Sequence, residues 1–393
     1  MTDQVFIPYG KQDIDKSDLE AVCTVLRSSW LTTGPLVDQF EEAIAEKCGA
    51  KYCVVFNSGT AALHAAYHAA GVGPGSEVIT TPITFAATAN AALYLGAKPV
   101  FADVEPDTFH IDPAKIGAAL SSRTRVIAPV DMAGTPAALD EINRLAADHN
   151  ITVVEDASHA LGAYYKGLVV GSIADMTVFS FHPVKHITTG EGGAVTTSDQ
   201  ELYFKMRSFR SHGMVREADR FTAASEEEMN RGPWYHEQQE LGYNYRLPDI
   251  NCALGLSQLK RVDGYLERRR AIAAKYNEAF QGNDRLKTPP EMQGSATLAE
   301  AAWHLYILRL AGEKPPRRCI VDKLKAAGIG TQVHYIPVYL HPYYRQLGYK
   351  TGLCPNAEDY YSRALSIPIY PAMSDEDVER VIEAVLIAVE ACY

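Results

Sequence analysis

A lysine stands between two runs of β-forming residues in this 393-residue chain. Met176 to Phe181 reads as one buried strand and Ala194 to Thr197 as the next, with Gly190 to Gly193 turning the chain between them. Lys185 lies in that connection. An ammonium held there loses hydration, which lowers its pKa. Such a lysine can attack a carbonyl to form an imine and then serve as a base. Upstream, Ile151-Thr152-Val153-Val154 is a β-rich run that leads into Glu155-Asp156-Ala157-Ser158-His159-Ala160. Asp156 falls where strand gives way to loop, and in open α/β sheets ligands bind at that edge. Alone, Asp156 reads as a helix cap and Lys185 as a solvated loop residue. Together they are what pyridoxal phosphate requires: an imine-forming amine, and a carboxylate that keeps the pyridine nitrogen protonated.

The phosphate needs its own donors. Tyr52–Phe56 runs into Asn57-Ser58-Gly59-Thr60-Ala61, a small-residue turn that opens a helix. Free N–H groups and the helix dipole favour an anion there, with Gly59 and the Thr60 hydroxyl in position; simple capping by Ser58 or Thr60 is the plainer alternative. Ser180, upstream of Lys185, offers another hydroxyl. Phe85, expected in the first turn of the next helix, could stack on a planar ring or belong to the core. Gly71-Val72-Gly73-Pro74-Gly75-Ser76 looks like a dinucleotide loop, but it follows a helix and precedes a strand, the wrong order.

These residues need a frame that brings strand ends together. Short β-rich runs (Tyr52–Phe56, Glu77–Thr80, Pro99–Val104, Val126–Val130, Thr152–Val154, Thr177–Phe181) alternate with alanine-rich helical ones (Ala61–Ala70, Phe85–Leu95, Pro113–Leu120, Leu139–His149). That rhythm predicts an α/β fold with a mainly parallel sheet covered on both faces. Arg216–Glu240, with Glu226-Glu227-Glu228 and Gly232-Pro233, breaks it and reads as a loop or lid. Asp249–Leu266 and Glu267–Phe280 read as helices, the second running between domains. Beyond about 285, strands Leu305–Leu310 and Thr331–His334 mix with helices Cys319–Ala327 and Asp375–Ala388. The expected division is a large cofactor-binding domain over 1–265, with an N-terminal arm, and a smaller α+β domain over 266–393.

Composition narrows the function classes. The net charge of −11 disfavours nucleic acid and anionic membrane as partners, so an anionic ligand must be met by local donors. Seven cysteines, odd in number and irregular in spacing, favour a reducing compartment and no zinc site. Without a signal peptide or a spanning apolar run, the expected location is cytoplasmic.

The motifs in this order resemble the DegT/DnrJ/EryC1/StrS family of sugar aminotransferases, with fold type I architecture. The likeness rests on Ser29-Trp30-Leu31-Thr32-Thr33-Gly34-Pro35, Asn57 to Leu63, Glu155 to Ala160, the Lys185 segment with Gly190-Glu191-Gly192-Gly193, and Arg210-Ser211-His212-Gly213-Met214. Leu241-Gly242-Tyr243-Asn244-Tyr245-Arg246-Leu247 and Gln332-Val333-His334-Tyr335-Ile336-Pro337 continue it. The resemblance implies that Lys185 carries the cofactor and Asp156 pairs with its ring nitrogen. It puts His159 by the phenolic oxygen, Phe85 on the ring, and Gly59, Thr60 and Ser180 on the phosphate. It implies that Asn244 reaches the phosphate of a second subunit, making the unit a homodimer. L-Glutamate would be the amino donor and a nucleotide-linked 4-keto-6-deoxysugar the acceptor, with Lys11, Arg210, Arg246 and His334 as substrate contacts. Ile79 to Phe85, Ser158 to Gly162 and Phe209 to Met214 resemble the branch that serves pseudaminic acid synthesis. Transaminases of other 4-keto sugars (perosamine or bacillosamine type), a cofactor-dependent sugar dehydratase, and a non-enzymatic binding regulator remain as alternatives.

Overall fold

The computed structural model describes residues 5–222, 225, 232–290 and 300–393. Seven strands form the central sheet: β1 Tyr52–Phe56, β2 Glu77–Thr80, β3 Lys98–Phe101, β4 Thr124–Ala128, β5 Thr152–Asp156, β6 Met176–Ser180 and β7 Gly193–Thr197. Their spatial order is β1-β7-β6-β5-β4-β2-β3. Strands β2 to β6 pair in parallel, whereas β7 runs antiparallel to both its neighbours, β1 and β6. Helices cover both faces, which is why nearly every position of these strands is buried, the polar ones included. The expected strand at Pro99–Val104 stops at Phe101, because Val104 turns away to bridge Ile111.

Local sequence explains the helices. Ser58 caps the alanine-rich helix Gly59–Ala69 by accepting from the Ala61 N–H at 3.1 Å. The helix expected from Phe85 begins at Ala87, so Phe85 lies just before it. Two N-terminal helices, Lys16–Leu26 and Pro35–Cys48, precede the sheet; Asp15 caps the first, and Pro35 opens the second.

A second, antiparallel sheet contains β8 Leu286–Lys287, β9 Tyr306–Leu310 and β10 Ala364–Ile367. The run Thr331–His334, expected as a strand, contributes only a bridge from Gln332 to Ser366. The break expected near residue 266 lies at 260–261, between helices Asp249–Leu259 and Val262–Phe280. The longer helix joins the two cores. Val262 and Leu266 pack in the large-sheet cluster, and Ile272, Tyr276 and Phe280 in the small-sheet cluster. The expected division at 265/266 falls inside it. Arg269, 1% exposed, anchors this junction by donating to the carbonyls of Trp303, His304 and Ile369 at 3.1, 3.2 and 3.0 Å.

Cysteine spacing hid one pairing. Cys319 and Cys392 form a disulfide across 73 positions, brought together by packing of helix Arg317–Ala326 against helix Asp375–Cys392. The other five cysteines are free thiols. The stretch expected as a loop over 216–240 is bracketed by a short pairing of Met214–Val215, just before it, with Glu237–Gln238 near its end, and Glu226 to Glu228 lie outside the described residues. No helix among the described residues is long and apolar enough to cross a membrane.

Candidate active site at the carboxyl edge of the central sheet

Sheet topology gathers the reactive groups on one edge. Asp156 ends β5, Ser180 ends β6, and Lys185 lies in the loop from β6 to β7. Because β7 runs antiparallel, Gly193 at its start returns to the same edge. The Gly59 helix leaves β1 there, and Phe85 follows β2.

Two elements close the phosphate cradle by near-contact. A Cβ on Gly59 would come within 3.1 Å of the Ser180 Cβ, and one on Gly193 within 2.7 Å of the Gly59 nitrogen. The absence of side chains lets the helix N-terminus sit directly over Ser180, where the first-turn N–H groups have no acceptor in their own helix. Ser58 is the cap, so Thr60 is not needed for that task.

Asp156 is 4% exposed and held from both sides. The Ser158 hydroxyl donates to Oδ1 at 2.6 Å and the Thr88 hydroxyl to Oδ2 at 2.7 Å. Thr84 stands 2.8 Å behind Thr88. Since the one Thr88 proton goes to Asp156, Thr84 is the donor in that pair. Asp156 is therefore a fixed acceptor rather than a helix cap: no helix follows it before Tyr164.

Lys185 is half-buried. Loss of hydration lowers its pKa from 10.5 to about 8; Asp156 opposes the shift and Arg269 adds to it. A substantial fraction of the amine is thus neutral near pH 7 to 8, as an imine-forming base needs. Apo protein should therefore capture pyridoxal phosphate at a rate that rises with pH toward a midpoint near 8, not 10.5. Stopped-flow absorbance, with Lys185→Ala as control, checks this; a midpoint near that of free lysine would contradict the assigned environment.

His159, 4% exposed, receives or donates a 3.2 Å bond between Nε2 and the Tyr335 hydroxyl. Its ring lies 4.3 Å from that of His304. Burial, then the charge of Lys185, pushes His159 well below the usual histidine range, so it is neutral. Phe85 is 64% exposed although it is a large apolar residue in an otherwise dry region, and its ring faces Tyr335 at 6.4 Å. The cradle, the exposed ring, the fixed acceptor and the unpaired, buried His159 Nδ1 suit a flat phosphorylated pyridine.

The four expected substrate contacts lie in different settings. Lys11 is exposed on the N-terminal segment. Arg210 is buried and committed to Glu41 and to the Val55 carbonyl, the latter at 2.7 Å. Arg246 lines a cavity of about 1070 Å³ with Trp30, Arg207 and Arg216, and Arg210 reaches the wall of the same cavity. His334 is 7% exposed, near enough to Lys185 to feel its charge, and hydrogen-bonded to Ser366 at 2.8 Å. Asn244 is exposed and bridges Ser211. Sequence reasoning passed over Thr88, Tyr335 and His304 as site residues. Thr88 had a signal, lying one helical turn beyond Phe85; His304 is brought in by tertiary packing alone.

Comparison with known proteins agrees with this geometry. Residues 12–386 match the model of the DegT/DnrJ/EryC1/StrS aminotransferase family. The spore coat polysaccharide biosynthesis protein SpsC of Bacillus subtilis is 45% identical over 97% of this chain and 96% of its own length. A UDP-4-amino-4,6-dideoxy-N-acetyl-β-L-altrosamine transaminase of Campylobacter jejuni is 43% identical over 95% of both chains. Among solved structures, Helicobacter pylori PseC, an aminotransferase involved in the biosynthesis of pseudoaminic acid, aligns with a TM-score of 0.89 at 35% identity, covering 98% of this chain and 100% of that one. A Streptococcus pneumoniae relative, 32% identical, has been captured in PLP and PMP forms with TM-scores of 0.90 and 0.91. The chain belongs to the DegT/DnrJ/EryC1/StrS aminotransferase family, fold type I enzymes of sugar nucleotides that use pyridoxal 5′-phosphate.

Proposed function

We propose that the enzyme transfers the amino group of L-glutamate to C4 of a nucleotide-linked 4-keto-6-deoxysugar, in the manner of the altrosamine transaminases of pseudaminic acid synthesis. The observation that carries the reading is the juxtaposition of a partly neutral Lys185 amine with the doubly held Asp156 carboxylate. Likeness to the Campylobacter and Helicobacter proteins supports the sugar class. Likeness to SpsC supports a sister reading, a transaminase of another 4-keto sugar.

When bound, pyridoxal phosphate supplies an electron sink for the carbon that loses its proton. The chain does the rest. Gly59, Thr60 and Ser180 would hold the phosphate, Phe85 would cover the ring, Asp156 would accept from the ring N–H, and His159 would lie by the phenolic oxygen. Lys185 Nζ takes the proton from the α-carbon of glutamate in the first half-reaction and delivers one to C4 of the sugar in the second. The balance is one glutamate and one keto sugar in, one 2-oxoglutarate and one amino sugar out. Arg246 faces the open cavity where the sugar nucleotide would enter, whereas Arg210, on the same wall, is also paired with Glu41 and the Val55 carbonyl, and His334 with Ser366. A panel of nucleotide-linked keto sugars, with the ketone at C4 or at C3, ranked by kcat/KM tests the sugar class. A 4-keto-6-deoxy UDP-sugar should lead by at least about tenfold, a difference of about 1.4 kcal/mol in transition-state binding; equal or better use of a sugar lacking the 4-keto group would overturn it.

The same reading makes the working unit a homodimer, with Asn244 closing the phosphate site of the second subunit. Tyr243 and Tyr245, stacked at 4.8 Å, present Asn244 outward between them. Mixing Lys185→Ala with Asn244→Ala subunits places both lesions in one site of the mixed dimer and none in the other. Random exchange around a two-fold axis should restore about a quarter of wild-type activity. No recovery, with exchange proven and each parent impaired, would contradict a shared site.

A further inference from the structure

Two acids that the reaction does not use lie behind the active edge. Asp131 and Glu155 are both 0% exposed. Asp131 follows β4, and Glu155 immediately precedes Asp156 on β5. Asp131 Oδ1 accepts from the Ala137 N–H at 3.1 Å, and Glu155 Oε2 accepts from the Thr177 hydroxyl at 2.7 Å. The remaining oxygens, Asp131 Oδ2 and Glu155 Oε1, have no N–H or O–H donor from the rest of the protein. The two carboxyl groups instead face each other within hydrogen-bonding reach. Two adjacent carboxylates cannot both stay charged in a dry interior. Neither acid has an ion-pair partner among the described residues; the other titratable groups that bear on them are Asp156 on the same strand and Cys48 from helix Pro35–Cys48. One proton between the pair satisfies both orphan oxygens.

The pair has a mechanical reach. Asp131 also donates its N–H to the Asp156 carbonyl at 3.1 Å. Its bond to Ala137 closes the short loop between them. Within that loop Ala133 adopts φ 60° and Gly134 φ 99°. A Cβ on Gly134 would stand 2.7 Å from the Trp303 nitrogen and 2.8 Å from the His159 carbonyl. Ala302 and Leu305 donate to the carbonyls of Gly134 and Ala133 at 2.8 and 3.3 Å. The loop therefore docks the segment carrying His304 against His159.

We propose that Asp131 and Glu155 share one proton and act as positioning residues, locking this loop so that His159 and Asp156 are held in register at the cofactor. The proposal rests on the roles given to His159 and Asp156 above. Burial and the neighbouring acids hold Asp131 well above the usual carboxylate range, so it carries the proton. An acid whose pKa is raised on folding contributes stability that is complete below its unfolded value and is lost as pH rises toward the folded one. Asp131→Asn keeps the donor to Glu155 and the acceptor for Ala137 but has no proton to lose.

The test uses apo protein first. From about pH 4, the ordinary range of an aspartate in the unfolded chain, to about pH 9, wild-type Tm should fall relative to Asp131→Asn, and the gap should stop changing below about pH 4. Isotope-edited infrared spectra of the apo proteins should show a protonated-carboxyl stretch in wild type that is missing in Asp131→Asn. Parallel Tm profiles, or the same band in both, would overturn the shared proton. In holoenzyme, Asp131→Ala should lower kcat by about tenfold or more with a smaller change in sugar KM, and Asp131→Asn should recover most of the loss. Equal damage by both substitutions would overturn the positioning role. The apo measurements do not depend on which sugar is used, so failure of the substrate assignment leaves them intact.

Discussion

Lys185→Ala is expected to abolish turnover and leave the fold standing. The substitution removes the only group assigned both to hold the cofactor and to carry the proton. A positioned acid–base group alone contributes about 10²–10⁴-fold, and loss of the covalent anchor adds to that, so residual activity should be below about one part in a thousand. The fold should survive because the side chain is half-buried and the Lys185 N–H keeps its 2.9 Å bond to the His182 carbonyl. The purified variant should show an unchanged far-ultraviolet circular dichroism spectrum and lack the visible band of a lysine-bound cofactor. Retention of that band with normal turnover would remove Lys185 from the site.

Asp156→Asn should be nearly as damaging, for an electrostatic reason. The variant keeps the shape and loses the charge that holds the ring nitrogen protonated. Removing one partner of a buried ion pair costs about 3–5 kcal/mol, which corresponds to about two to three and a half orders of magnitude in rate. The local hydrogen bonds add to the effect. Both carboxylate oxygens now accept, from Ser158 and from Thr88. An amide must turn its NH₂ toward one of those hydroxyls, and reversing Thr88 would disturb its bond with Thr84. Steady-state kcat and the absorption maximum of bound cofactor should both change. A loss of less than about tenfold would mean that the Asp156 charge does not act on the ring.

Much of the frame was legible because its physics is local. β1 and β2 keep the bounds read from the sequence, and β5 and β6 shift by one or two residues, since apolar β-branched runs closed by polar turns have few other uses. Lys185 and Asp156 stood out for the same reason: each is a charged residue set where a buried strand stops. Long-range partners were harder to see. Thr88 and Asp156 are 68 positions apart, and Tyr335 and His159 are 176 apart. The Cys319–Cys392 bond depends on two helices meeting. Thr331–His334 has strand-like composition, yet only Gln332 finds a ladder partner. Arg210 was read as a cation for substrate because a chain this acidic must meet an anionic ligand with local donors. Burial of Glu41 beside it gives that charge an internal partner, and the two are 169 positions apart.

Transfer of nitrogen from donor to sugar can be followed with ¹⁵N-labelled L-glutamate. The enzyme, loaded with pyridoxal phosphate, is incubated with a UDP-linked 4-keto-6-deoxysugar and the labelled donor. Mass spectrometry and NMR should find a sugar nucleotide with one ¹⁵N at C4, formed in equal amount with 2-oxoglutarate. A sugar product that has lost oxygen without gaining nitrogen, with glutamate unconsumed, would contradict transamination.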